Sequence, residues 1–283
     1  KVIGITGSSG KTTIKDMLAS MLSQNFNVTK TKENQNNEYG VPLTVLSADA
    51  RTDYLIVEMG MRKKGDIKHL TQMVQPDIVI VSNIGLTHIE FFSTQRQLAL
   101  GKGEIFQTAQ KWQTNKRASF INYNTPYHEL LAKKASKCGY RVIPFKGEDK
   151  WSENVNICFT VCQYLGLEED VIRKGLDVFE TSSHRLKVYK KKDKVIIDDS
   201  YNSNPAGIEY ALSYLNRFKG RKIAVLGDML ELGEHTQKQH EHVETVAIEN
   251  QIDIVFTYGE IFKSIIFQNI TRVHCDTKEA LHK

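Results

Sequence analysis

Only 4 cysteines and 5 prolines occur in 283 residues, and no apolar run approaches the roughly 20 residues that a membrane-crossing helix needs. Each shortage excludes something. Cys138 and Cys275 stand alone, while Cys158 and Cys162 lie one helical turn apart on an apolar stretch with no second close pair. That spacing gives neither a disulfide framework nor a zinc site, so buried free thiols are expected. The start has no charged-then-apolar signal pattern, and a reducing, cytoplasmic setting is the expectation. Charge of one sign is also scarce: 38 basic against 33 acidic residues leave +5. A small, dispersed excess suits an enzyme that handles anionic substrates and lacks the clustered charge of a nucleic-acid footprint. Neither nucleic acid nor a membrane is therefore expected as a partner. An initiating methionine is absent as well, and the last residues read as the start of a helix. A fragment, or the ordered part of something longer, is expected.

What is present is a globular composition, 40% hydrophobic and 25% charged. A chain of this length suits two domains and buries roughly 70–75% of its unfolded surface. Strands and helices alternate along it, which points to parallel sheets with crossover helices. The pattern predicts a strand over Val2–Thr6, a helix over Lys11–Leu22, a strand over Tyr54–Glu58, a helix over Asp66–Val74 and a doubly apolar, buried strand over Asp77–Ser82. It continues with a helix over Arg96–Gln110, a strand over Ala118–Ile121, a helix over Tyr127–Lys137 and a strand over Tyr140–Phe145. The polar stretch Lys146–Ser152 breaks the rhythm before helices over Val155–Leu165 and Glu169–Phe179.

A hinge is expected over Thr181–Arg185, with domains 1–183 and 184–283. After it come strands near Leu186–Tyr189 and Val195–Asp198, a helix over Pro205–Phe218, a strand over Lys222–Leu226, a helix over Gln237–Glu249, a strand over Ile252–Thr257 and a helix over Glu260–Ile266. The lysine-rich run Lys187–Lys194 could bind an anion, but a charge run of this kind commonly forms a solvated hairpin tip. The expected class is α/β: a phosphate-loop, parallel-sheet ATPase domain followed by a smaller Rossmann-like α/β domain.

The most informative segment is Gly7-Ser8-Ser9-Gly10-Lys11-Thr12-Thr13. A glycine-rich turn between a strand and a helix aims backbone N–H groups at an anion, and the helix dipole adds to the attraction. Lys11 can then reach the outer phosphates of ATP, and the Thr12 hydroxyl can ligate magnesium. Ile5 stands where the longer motif has its first glycine, so this is a shorter variant. Glu58 ends an apolar strand, where parallel sheets place ligands, and could complete an all-oxygen magnesium shell. It could equally be a strand-end surface acid. His88 follows another strand in Ser-Asn-Ile-Gly-Leu-Thr-His, where a lone loop histidine is more often structural than a ligand. Lys102 falls on a helix, the usual place for a solvated lysine.

These segments occur in a fixed order: Gly7–Thr13, Asn34-Gln35-Asn36-Asn37-Glu38-Tyr39-Gly40-Val41-Pro42, Glu58-Met59-Gly60, Asn83–His88 and Lys102-Gly103-Glu104-Ile105-Phe106. Asp198–Pro205 and Leu226–Gly233 follow them. The ordered set resembles the Mur ligase family, and the last two segments resemble its branch that adds D-alanyl-D-alanine. The resemblance runs from Val2 to about Gly259. It implies that ATP and Mg2+ convert a UDP-muramoyl-tripeptide carboxylate to an acyl phosphate, which the amine of D-alanyl-D-alanine attacks. It also implies roles. Lys11, Lys102 and His88 would be catalytic, and Gly7, Ser8, Ser9, Gly10, Lys11, Thr12 and Thr13 would hold the nucleotide phosphates. Thr12 and Glu58 would hold a first magnesium, with His88 and a carbamylated Lys102 at a second. Asn36 and Asn37 would lie near the muramoyl-peptide substrate, Asn156 at adenine, and Arg185 and Asp199 at phosphate and ribose. A carbamate needs a neutral amine, which burial can supply. The Asp198–Asn204 segment also reads as a helix cap, with Asn204 before Pro205 at the first helical position. The expected state is a monomer.

Three departures stand out. The resemblance leads to the expectation of a UDP-holding first domain before Lys1 and a lysine-bearing tail after Lys283, which these 283 residues do not include. The stretch from Phe145 to Val155 is short and lacks the family's His-Asn. Two other functions stay open: a Mur-like ligase with a different acceptor or amine, and a nucleotide-binding module without turnover.

Overall fold

The computed structural model describes residues 1–108 and 117–282. It divides into two compact units, Lys1–Ser182 and Ser183–Lys283. The first unit begins with strand β1 (Val2–Thr6), helix α1 (Lys11–Leu22), β2 (Val28–Lys30), α2 (Gly40–Leu46), β3 (Tyr54–Glu58) and α3 (Asp66–Val74). It continues with β4 (Ile78–Val81), α4 (Gln95–Lys102), β5 (Ala118–Asn122), α5 (His128–Lys137), β6 (Arg141–Phe145), α6 (Lys150–Tyr164) and α7 (Glu169–Asp177). Its sheet has the order β2-β3-β1-β4-β5-β6, with each neighbouring pair parallel.

The reason is visible in the strands. Alternate residues such as Ile3, Ile5, Ile56, Ile80 and Phe120 enter one apolar layer with Met17, Leu18 and Val161. Their neighbours Leu55, Val57, Val79 and Val81 enter the other with Ile67, Leu70, Leu98 and Leu131. Strands apolar on both faces need helices on both faces, which is what a parallel sheet supplies. The chain runs from β1 towards β2 and β3 on one side and to β4 through β6 on the other. The strand order therefore reverses beside β1, and a crevice opens there at the carboxyl ends of the strands.

Two expected helices are redrawn. The helix expected over Arg96–Gln110 ends at Lys102 and tightens into a 3-10 turn over Gly103–Phe106. Its turn is held by Glu104, whose buried carboxylate accepts from Gly65 N (3.0 Å) and Lys68 N (3.3 Å) at the start of α3. The last two residues of that expected helix lie outside the described residues. The polar stretch before Val155 is a helix cap. Asp149 accepts from Ser152 N (2.8 Å) while the Ser152 hydroxyl accepts from Asp149 N (2.9 Å). This reciprocal pair starts α6 at Lys150, five residues early. Cys158 and Cys162 lie on α6 as buried free thiols, and burial pushes the Cys162 thiol up to about 12.

The second unit opens with an antiparallel hairpin, β7 (Lys187–Lys191) and β8 (Lys194–Asp198). It then forms α8 (Pro205–Asn216), β9 (Ile223–Gly227), α9 (Thr236–Glu249), β10 (Ile254–Tyr258), α10 (Glu260–Ser264) and β11 (Thr271–Cys275). Strands β11-β10-β9 form a parallel sheet in that order. The lysine run is the exposed hairpin, and β11 was not expected from the sequence, because Thr271–Cys275 mixes polar and apolar residues. The α8 start behaves as its sequence implies, with Asn204 Oδ1 accepting from Gly207 N (3.0 Å).

Helix packing in the first unit depends on one small residue. A Cβ at Gly175 on α7 would stand 2.4 Å from Met21 Cα on α1, and the Gly175 carbonyl already accepts from Ser20 Oγ at 2.7 Å. Gly175→Ala should therefore destabilise the protein by about 1–3 kcal/mol, the usual cost of overpacking. Urea unfolding followed by circular dichroism measures it, and an unchanged midpoint would contradict the close crossing.

Candidate active site

The crevice beside β1 is closed by the loop from Gly7 to Gly10. Gly7 has φ +151°, and a Cβ there would lie 1.8 Å from Ser82 Oγ; glycine is required on both counts. The loop is clamped to the end of β4. Ser8 N donates to Asn83 O (3.0 Å) and Ser9 N to Asn83 Oδ1 (3.0 Å). Asn83 Nδ2 donates back to Ser9 Oγ (2.9 Å), and Gly85 N donates to Ser8 Oγ (2.9 Å). Gly10 takes the left-handed conformation (φ 80°) and starts α1. Among the described residues no side chain caps this helix, and its first turn, which holds Thr12 and half-buried Thr13, carries no acid. A positive dipole end, presented by a fixed loop with no acid in the first turn, favours an anion.

Two amines converge behind the loop. Lys11 Nζ donates to the Gly7 carbonyl at 2.8 Å, and Lys102 Nζ donates to the same oxygen at 3.2 Å. Lys102 is only 1% exposed. Burial, and then the nearby Lys11 cation, hold its ammonium well below the usual lysine range. Lys102 is thus a buried amine at the loop, and not the solvated surface lysine that its helix position suggested.

Glu58 is not a surface acid; it is 1% exposed at the end of β3. Thr12 Oγ1 donates to its Oε2 at 2.9 Å, and Asn36 Nδ2 donates to its Oε1 at 2.8 Å. Thr31 Oγ1 accepts from Glu58 N at 3.0 Å. The donor set at this point is a hydroxyl and one carboxylate, all oxygen, beside an anion site. Among the described residues no group of three or more His, Cys, Asp or Glu could hold a metal ion. A protein-only cage is thus not present, whereas magnesium is commonly bound through one or two carboxylates plus phosphates and water. The residues fit that ion.

The remaining expected residues are distributed as follows. Asn37 Oδ1 accepts from Gly40 N (3.0 Å) and shapes the turn into α2. His88 is half-buried beyond β4 with φ 68°, its ring centroid 6.5 Å from that of Phe91. Asn156 faces outward, its amide donating to Lys146 O at 2.9 Å. Asn154, two residues earlier and on a different side of the same helix, is the carboxamide at the loop: a Cβ on Gly10 would lie 2.8 Å from its Oδ1. Asn83, Ser82 and Asn154 were missed as site residues. Asn83 carried the available signal, since it follows the end of a buried strand.

In the second unit the Arg185 guanidinium stacks over Tyr201, 3.8 Å from the ring centroid. Asp199 Oδ1 accepts from Leu186 N at 3.1 Å. Burial pushes the Asp199 carboxyl up to about 6, against the opposing pull of the Leu186 amide and Arg185. Asp228, in the second quoted segment, accepts from Ile261 N and Phe262 N, both at 2.9 Å, and so anchors the start of α10.

Fold and loop together define a doubly wound, phosphate-loop α/β protein with a second α/β unit. Residues 5–165 match the model of the Mur ligase middle domain, and residues 184–281 match that of the Mur ligase glutamate ligase domain. The chain belongs to the Mur ligase family. The UDP-N-acetylmuramoyl-tripeptide–D-alanyl-D-alanine ligase of Bacillus subtilis is 32% identical over 295 residues, covering 92% of this chain and 63% of that protein. The ligase of the same name from Escherichia coli is 27% identical, covering 99% and 69%. The chain thus spans under two thirds of the length of the first of these relatives. Among solved structures, MurF ligase from Thermotoga maritima in complex with ADP matches with a TM-score of 0.84 at 27% identity, covering 99% of this chain and 72% of that one. MurF from Acinetobacter baumannii matches with a TM-score of 0.85 at 25% identity, covering 92% and 64%.

The Asp199 carboxyl supplies a prediction with a definite sign. Its folded pKa of about 6 lies above the ordinary value of 3.8, so between these values the folded state binds more protons and loses stability as pH rises. Asp199→Asn should therefore gain stability relative to the parent from pH 4 upwards, reaching about 2 kcal/mol or less above pH 6. Urea midpoints across this range measure it, and a constant difference between the two proteins would contradict the raised pKa.

Proposed function

We propose that this chain carries the ATP site of an amide ligase, which activates the carboxylate of a UDP-muramoyl tripeptide as an acyl phosphate for attack by the amine of D-alanyl-D-alanine. Family membership and the names of its relatives support the reaction class. The observation that carries it is the convergence of Lys11 and Lys102 on one carbonyl beside the buried Thr12–Glu58 pair. Carboxylate phosphorylation brings two anions together, so it needs concentrated positive charge and fixed positions.

In this proposal the N–H groups at the start of α1 bind the nucleotide phosphates, and Lys11 leaves Gly7 O to reach the transferred group. Thr12 and Glu58 hold Mg2+, which supplies charge neutralisation between carboxylate and triphosphate. Once deprotonated, the Lys102 amine would add carbon dioxide and release a proton to solvent, and the resulting carbamate together with His88 would serve a second ion. Asn36 and Asn37 sit on the loop assigned to the muramoyl-peptide end. Arg185 and Asp199 are assigned to phosphate and ribose, and Asn156 to adenine, although Asn154 is the carboxamide that reaches the loop.

The test is ADP release in the presence of UDP-muramoyl tripeptide, with and without D-alanyl-D-alanine. Release dependent on both compounds is expected, with Lys11→Ala slower by about a hundredfold or more, the scale of one lost electrostatic group. Release indifferent to the dipeptide would point to a ligase with another amine. Nucleotide binding with no turnover on any acceptor would contradict the ligase reading.

A further inference from the structure

Lys15 belongs to none of the roles above, yet it is among the most buried large side chains in the protein, at 1% exposure. It lies one turn along α1 from Thr12, so the two side chains share a helix face. Its ammonium donates to Glu33 O at 2.9 Å and stands 3.7 Å from Glu58 Oε2 and 3.7 Å from Asp16 Oδ1. Asp16 is in turn bonded by Lys30 at 2.6 Å. A buried cation costs free energy unless it is paired and hydrogen-bonded, so this one holds its partners in place. Those partners belong to two different pieces. Glu58 ends β3, whereas Glu33 lies in the loop that carries Asn36 and has a left-handed backbone at φ 45°.

We propose that Lys15 is a positioning residue: it fixes the Glu58 carboxylate towards the loop of α1 and ties the 31–37 segment onto that same carboxylate. Thr12 and Lys15 approach Oε2 from one helix face, and Asn36 approaches Oε1 from the opposite segment. Because Asn36 and Lys15 both join the 31–37 segment to Glu58, the metal acid and the acceptor loop move as one piece. This rests on the proposed function for the identity of the ion, while the tie itself rests on the contacts alone.

The test uses the full chain with Lys15→Met, which keeps the length and removes the charge, and two readouts. In the first, calorimetry measures ADP affinity without Mg2+ and then with it. The metal-free affinity is expected to stay within twofold of the parent, and the gain on adding Mg2+ to fall by about 10–100-fold, as for other groups that orient a metal ligand. In the second, hydrogen exchange without any ligand is expected to quicken at least tenfold at the amides of residues 31–37 and not elsewhere in α1 or β3. Should Lys15→Met fail to fold, Lys15→Arg keeps the charge but spreads it over a planar fork. It is expected to raise the half-saturating Mg2+ several-fold with metal-free affinity unchanged.

An unaltered Mg2+ gain or unaltered 31–37 exchange would overturn the proposal. A uniform loss of stability with the Mg2+ gain intact would overturn it too, as the mark of a merely structural lysine. Failure of the parent chain to bind ADP would count against the nucleotide reading, and the exchange arm would still decide the role of Lys15.

Discussion

The Gly7 carbonyl oxygen is the point on which the site depends. It accepts from Lys11 at 2.8 Å and from Lys102 at 3.2 Å, so one backbone dipole holds two amines that would otherwise repel each other. The backbone at Gly7 has φ +151° and packs so closely on Ser82 that only glycine fits there. Burial first, and then a like charge close by, disfavour the charged form of the more buried amine. Lys102, on α4, is that one. The loop therefore shapes an anion site on one side and lowers the charge of a lysine on the other.

A second layer of charge surrounds Glu58. Glu58, Lys15 and Thr12 are all buried, and both Thr12 and Lys15 meet the Glu58 carboxylate. Burying an acid this deeply is tolerable because each oxygen has a donor and a cation stands 3.7 Å away. The 31–37 segment is drawn in by the same contacts, so the region assigned to the acceptor is tied to the region assigned to the ion. The parallel sheet makes this economical in chain length, since β1, β3 and β4 are neighbours and all three end at the crevice.

Much of this was legible in the sequence because it rests on local pattern. Doubly apolar runs gave the central strands, and the short glycine-rich loop between Thr6 and Lys11 gave the anion site without any knowledge of the sheet. Glu58 and Lys102 could be pointed to, but not separated from surface residues, because their burial comes from elements far away in sequence. Lys15 shows the same limit: on the helix it reads as one more lysine, and only the packing of β3 and the 31–37 loop encloses it. The Asp149–Ser152 cap was present in the sequence and read as a break, since a polar run before a helix looks the same whether it caps or interrupts. Asn154 and Asn156 are two residues apart, and the helix started at Lys150 decides which of them faces Gly10. Asp199 was named for a nucleotide contact, yet its raised carboxyl could only come from burial beside Leu186.

The central claim is that burial behind the loop, with Lys11 beside it, holds the Lys102 ammonium well below the usual lysine range. Side-chain 15N NMR of lysine, with the resonance assigned by its loss in Lys102→Met, tests it most directly. The account predicts that Lys102 Nζ titrates well below 10.5 in the parent protein and moves upward when Lys11 is replaced by methionine. A Lys102 ammonium that stays charged up to the ordinary lysine range, or that ignores the loss of Lys11, would contradict it.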